Sequence, residues 1–93
     1  MADAWRDGIE DYYAVKVLLV LLQDGRSART AVYGKISKSF ATAQKRVDRL
    51  IAVGLVLEHA ETSMPGRKWV ELTPRGIKVA EHLASIDRIL EQT

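Results

Sequence analysis

The sequence predicts a mainly helical fold with one small β-hairpin, in the order helix, helix, helix, strand, strand, helix. Three observations point there. Apolar residues recur with helical spacing as far as Gly54. The pattern then changes to strand-like alternation over Leu55–Glu61 and Arg67–Thr73. Finally, Thr73 and Pro74 form a helix start, a capping side chain followed by a first-turn proline. The 93 residues match the size of one domain, and residues 1–93 are read as one.

The first helix is expected over residues 7–24. Ile9, Tyr12, Tyr13 and Lys16 open it amphipathically, and from Val17 it is apolar on every side, as a buried helix is. Gly25 stops it. A second, short helix is expected over 27–36, capped by Ser27, with Ala28, Ala31, Val32 and Ile36 at helical spacing. Ser37-Lys38-Ser39 interrupts the pattern, and Ser39 caps a third helix over 39–53. That cap lacks the reciprocal box, because Thr42 and not Glu or Gln lies three residues on. Ala43, Val47, Leu50 and Ile51 share its apolar face, while Gln44, Lys45, Asp48 and Arg49 point elsewhere. The hairpin spans 55–73, with its turn in Thr62–Gly66 and Val70 and Leu72 on one side. The last helix, 74–91, carries two stripes. Ile77, Ala80 and Ala84 form one; Val79, Leu83, Ile86 and Leu90 form the other in the a/d rhythm of a coiled-coil seam. One stripe suits the chain's own core and the other a partner.

Composition narrows the class of function. Apolar residues at 47% and charged residues at 28% describe a globular chain and not a disordered one. Absence of cysteine excludes disulfides and thiolate metal sites. The start of the chain lacks the basic-then-apolar order of a signal peptide. Its longest apolar run, Val17–Leu22, falls far below the ~18 residues a bilayer span needs. A cytoplasmic protein is expected. Net charge is only +2 but unevenly placed. Between Gln23 and Leu50, Arg26, Arg29, Lys35, Lys38, Lys45, Arg46 and Arg49 stand against Asp24 and Asp48, a local +5. Met1–Tyr12 carries a local −3. Such asymmetry suits a face for a polyanion, although any solvated face must also carry charge.

This element order is that of a winged helix-turn-helix, in which the third helix enters the DNA major groove and the hairpin, or wing, flanks it. The local sequence carries a family resemblance as well. From Ser39 to Val56 the chain has Ser39, Thr42, apolar Ala43, polar Gln44 and Lys45, apolar Val47, Arg49-Leu50, then Gly54-Leu55-Val56. This resembles the recognition helix and first strand of MarR-like winged-helix regulators. Leu72-Thr73-Pro74-Arg75-Gly76 is similar to the Leu-Thr-x-x-Gly with which those proteins leave the wing. The resemblance covers about residues 16–80 and departs at Tyr33, where the family carries a small alanine. The chain also lacks the long flanking helices of full-length MarR proteins. In size it is closer to compact archaeal and viral winged-helix regulators, many of which dimerise through a terminal helix.

The resemblance implies a sequence-specific, double-stranded DNA-binding regulator working as a homodimer. Phe40, Ala41, Gln44 and Lys45 lie on the face of the third helix away from its apolar stripe. Gln44 suits bidentate pairing with adenine, and Lys45 suits guanine O6 and N7. Phe40 is expected to lie partly buried against the second helix. Arg46 and Arg49 either hold phosphates or pair with Asp48 or Glu58. Lys35 and Lys38 are expected at phosphates, and the helix N-terminus capped by Ser39 can receive another. In the wing, the resemblance points to Arg67 at the minor groove, with Lys68 beside it. Trp69, out of phase with Val70 and Leu72, covers the outer side of the sheet. For the second copy of the chain, Trp5, Ile9, Tyr12 and Tyr13 with Val79, Leu83, Ile86 and Leu90 are the expected interface.

Other chemistries find little support. His59 and His82 are far apart and lack metal-ligand spacing, and Gly66-Arg67-Lys68 is not a phosphate-binding loop. No nucleophile elbow, carboxylate pair or catalytic triad can be assembled, so no enzyme, cofactor or metal is expected. The competing readings are a winged-helix protein-interaction module, because fold does not dictate function, and a nonspecific chromatin protein. The expected partners are DNA and a second copy of the chain, without a membrane and without an assigned small-molecule effector.

Overall fold

Tyr12 to Asp24 form helix α1, whose Ala14, Val17, Leu18 and Leu21 are buried. The computed structural model describes residues 12–63 and 66–92. The expected start of this helix, including Ile9, lies outside the described residues. No described helix is long and apolar enough to cross a membrane. Gly25 closes α1 with its N–H donated to the Leu21 carbonyl at 2.9 Å.

The next element departs from expectation. Ser27 does not cap a helix. Ser27–Ala28 form a short strand, β1, paired antiparallel with β3 (Lys68–Leu72) through Ser27↔Val70 and Ala28↔Trp69. The Ser27 hydroxyl donates instead to the Gly25 carbonyl. Helix α2 therefore begins two residues later, over Arg29–Ile36, with Ala28 at the N-cap and no side-chain cap bond. The reason is non-local: β3 offers an edge whose backbone groups need partners, and Ser27–Ala28 supply them. The buried face of α2 also shifts. Val32, Tyr33 and Ile36 are buried while Ala31 is exposed, so the aromatic at the departing position is a core residue.

Helix α3 (Phe40–Ala52) starts as expected, the Ser39 hydroxyl accepting the Thr42 N–H at 3.3 Å. Its Ala43, Val47 and Leu50 are buried. Strand β2 (Val56–Ala60) then pairs antiparallel with β3 in register Val56↔Leu72 through Ala60↔Lys68. The sheet thus has three strands in the order β1-β3-β2. Val56, Val70 and Leu72 close the core from this side.

Helix α4 (Pro74–Glu91) packs chiefly through Gly76 and Ala80, which are buried, with Val79 and Leu83 half-buried on the same core. Ile77, expected in the core stripe, is 42% exposed. Two stripes therefore do not divide as core and partner. The side that meets the core runs through Gly76, Val79, Ala80 and Leu83.

The entrance to α4 is a compact clamp. The Thr73 hydroxyl accepts the Gly76 N–H at 3.0 Å and donates to the Gly54 carbonyl at 2.8 Å. The Thr73 N–H donates to the Leu55 carbonyl at 3.1 Å. Gly54 turns the chain out of α3 with φ +83°, a region that favours glycine. Gly76 is required for a different reason. A Cβ there would sit 2.0 Å from the Leu55 carbonyl oxygen and 3.3 Å from Leu72 Cδ2. In an open helix, Gly→Ala gains about 1 kcal/mol of propensity. Here overpacking against a backbone carbonyl, which costs about 1–3 kcal/mol or more, outweighs it. Gly76→Ala is therefore expected to lower stability by roughly 2 kcal/mol net. Urea denaturation checks this, and an unchanged or raised midpoint would contradict the clamp.

Candidate nucleic-acid interface

The outward face of α3 carries Ala41, Gln44, Lys45 and Arg49, all exposed because Ala43, Val47 and Leu50 take the opposite face. Lys38 and Ser39 precede it, also exposed. Lys38 and Lys45 make no ion pair among the described residues. Arg46 stands apart, half-buried on the flank of the helix. Lys35 is exposed at the end of α2, but its ammonium is paired with Asp24 of α1.

The wing contributes Arg67 and Lys68, both exposed. The Arg67 guanidinium lies 4.7 Å from the centre of the Trp69 ring, and Arg26 lies over the same ring at 5.8 Å. Trp69 thus covers the outer side of the sheet as expected, with two cations over its ring. Its indole N–H donates to Glu61 at 2.6 Å. Hydrogen bonds from Ser63 and Trp69, with the nearby charges of Arg67 and Arg26, hold the Glu61 carboxyl below the usual carboxylate range. Lys68 Nζ reaches within 3.9 Å of Glu58.

Asp48 and Glu58 are the carboxylates expected as partners for Arg46 and Arg49. Arg29, which the sequence does not nominate for either, bonds to both. One Arg29 guanidinium donates to the Tyr33 hydroxyl, to Glu58 of β2 and to Asp48 of α3. Its side chain is 11% exposed. Burial disfavours its charge, but the bonds to Asp48, Tyr33 and Glu58 more than offset this and hold its pKa above the ordinary arginine value. Arg29 thereby ties α2, α3 and β2 together. In the sequence it is only one of seven basic residues in a charged segment. The Arg29–Tyr33 spacing of four is a visible signal, whereas Asp48 and Glu58 lie 19 and 29 residues away.

Between α2, the start of α3 and the wing lies an open cavity of about 520 Å³, lined by Arg29, Tyr33, Phe40, Gln44, Arg67 and Lys68 among others. It brings together residues from the third helix and the wing that the sequence can only nominate separately. Phe40 lies partly buried against α2, as expected. It touches α2 edge-on, its ring centroid 4.8 Å from that of Tyr33 at 87°, yet remains 58% exposed.

The residues expected at a dimer seam differ in exposure. Trp5 and Ile9 lie outside the described residues. Tyr12 and Tyr13 are exposed at the start of α1, and Ile86 and Leu90 along the end of α4. Val79 and Leu83 are half-buried, packed in part against the chain's own core. Ile89, which falls outside the a/d stripe, is exposed beside Ile86 and Leu90. Of the histidines, His59 pairs with Glu71 across the hairpin at 2.6 Å and His82 is exposed. No group of three potential metal ligands occurs among the described residues.

Two consequences can be measured. Arg29→Ala leaves Glu58 and Tyr33 without a buried partner. Because Asp48 is largely exposed, the expected loss is about 2 kcal/mol, below that of a fully buried pair. Arg29→Lys should recover only part of it, because an ammonium lacks the planar fork. Glu61 should titrate below the ordinary glutamate value of about 4.3. A folded pKa lowered in this way stabilises the wing above the unfolded pKa. That contribution disappears as pH falls through the folded value. The Trp69 indole N–H resonance should follow this midpoint and lose its pH dependence in Glu61→Gln.

No family model matches the sequence, and no curated protein matches it either. Solved structures do. A Salmonella typhimurium protein assigned as a transcriptional regulator superposes with TM-score 0.83 at 18% identity, covering 98% of this chain and 81% of its own. A Pseudomonas aeruginosa protein assigned likewise gives TM-score 0.75 at 26% identity, over 98% and 71%. A mutant of MarR from E. coli, complexed with operator DNA, gives 0.69 at 19% identity, over 77% of this chain and 51% of that one. The chain has the winged-helix fold of MarR-like transcriptional regulators.

Proposed function

We propose that the chain is a homodimeric transcriptional regulator that binds specific double-stranded DNA, with α3 in the major groove and the wing at the adjacent minor groove. The observation that carries this reading is the shared face of α3 and the wing. Gln44 and Phe40 of α3 line one cavity with Arg67 and Lys68 of the wing, and Lys45 stands exposed one residue along. The complex of MarR from E. coli with operator DNA, on the same fold, supports it.

The roles divide by chemistry. Phosphate neutralisation supplies most of the affinity, and base edges supply the sequence preference. Lys38, Arg49, Arg67, Lys68 and the α3 N-terminus behind Ser39 serve phosphates. Gln44 and Lys45 meet bases, with the small Ala41 between them allowing close approach. Lys35 contributes less, because a phosphate must compete with Asp24 for it. Arg46, half-buried, supports the helix from its flank. Exposed Tyr12, Ile86, Ile89 and Leu90 favour a second copy as partner, with Val79 and Leu83 at the base of that surface.

One experiment tests both parts. Duplexes selected from a random pool should share a site of two half-sites about 34–36 Å apart, as a dimer requires. Their affinity should fall steeply with salt, and Lys45→Ala should weaken binding and reduce the salt slope by about one. No enriched sequence, or no binding at low salt, would overturn the DNA reading; a single unpaired half-site would overturn the dimer.

A further inference from the structure

We propose that Phe40 determines sequence specificity by reading the C5-methyl group of a thymine in the major groove, next to the base taken by Gln44. The inference rests on the DNA-binding reading above.

Phe40 is the first residue of α3, and a recognition helix meets base edges with its N-terminal residues. A singly exposed apolar side chain is ordinary in itself. This one is exposed and also held. Its ring packs edge-on against Tyr33, 4.8 Å between centroids. Tyr33 is in turn buried, with its hydroxyl accepting from Arg29. One side of the Phe40 ring is thus fixed by a chain of contacts that ends in the Arg29 ion pairs. Its remaining surface opens on the cavity between α3 and the wing.

The core has no use for that surface, since Ala43, Val47 and Leu50 already complete the buried face of α3. The immediate neighbour on the same ridge is Gln44, one helical turn on and lining the same cavity. An amide at this place suits adenine N6 and N7. A pre-positioned aromatic edge beside it suits the one apolar group that the major groove displays, the thymine methyl. Phosphates gain nothing from a phenyl ring, and Arg67 and Lys68 across the cavity already provide for them. The pair Phe40 and Gln44 therefore reads a step rich in A·T pairs.

The test begins from a duplex selected with the full chain. Each thymine is replaced singly by deoxyuridine, which removes only the methyl group. At one thymine per half-site, affinity should fall about three- to fivefold, the effect of losing one buried methyl-sized group. Phe40→Ala should bind the thymine duplex as weakly as the unsubstituted protein binds the deoxyuridine duplex, and should no longer distinguish them. Phe40→Leu should keep part of the discrimination. Lys45→Ala should bind more weakly overall yet keep the whole thymine preference. Binding that is unaffected when every thymine is replaced overturns the inference and leaves the DNA-binding reading standing. Absence of duplex binding at low salt overturns both. The deoxyuridine series on the unsubstituted protein needs no variant to fold.

Discussion

The carbonyl of Leu55 lies where four elements meet. It follows the turn out of α3, leads into β2, accepts the N–H of Thr73 at the end of β3 and sits against Gly76 in the first turn of α4. Thr73 joins the same point twice more, through its hydroxyl to the Gly54 carbonyl and to the Gly76 N–H. These contacts set the angle between α3, the wing and the closing helix in one place. They also satisfy backbone groups at a helix end and a helix start that would otherwise be buried without partners. The absence of a side chain at position 76 lets α4 approach closely enough for Ala80, Val79 and Leu83 to reach the core.

Arg29 does corresponding work between α2, α3 and β2. It draws Asp48 and Glu58 toward α2, so that the frame beneath the proposed DNA face is held by a three-way bond. This has an electrostatic consequence. Asp24 and Asp48 are the two acidic residues between Gln23 and Leu50, and each is held in an ion pair, with Lys35 and Arg29 respectively. On α3 and just before it, Lys45 and Lys38 make no ion pair among the described residues, which favours approach of a polyanion. Trp69, with its N–H on Glu61 and Arg26 also over its ring, holds the wing arginine over a ring tied at its N–H. Preorganised side chains lose less entropy when a partner arrives.

The two ends of the molecule follow different logic. Around the core, Leu18, Leu21, Ile36, Leu50 and Val70 are shielded from water, and no polar or charged residue is buried with them among the described residues. Beyond Leu83 the closing helix outruns that core. Ile86, Ile89 and Leu90 there are exposed.

Much of the fold is legible in the order of the residues. Period and punctuation locate α1, α3, the hairpin and α4, because apolar spacing, Ser39, Gly54 and the Thr73-Pro74 start act over one or two turns of chain. The nomination of Gln44, Lys45, Arg67 and Lys68 comes from the same local signals together with the family resemblance. What is not legible depends on partners distant in sequence. Ser27–Ala28 has the pattern of a helix start, and only the edge of β3 makes it a strand. Along the chain Asp48 and Glu58 are open to Arg46 and Arg49, and only folding brings Arg29 to both. Heptad spacing places Val79 and Leu83 with Ile86 and Leu90, although the first pair meets the core and the second overhangs it. The sequence by itself determined which segments become helix or strand and which carry charge, because those preferences are summed over neighbours along the chain. Which side chains pair, which face stays open and where Phe40 points were decided by the tertiary structure, because burial and charge pairing depend on distance in space.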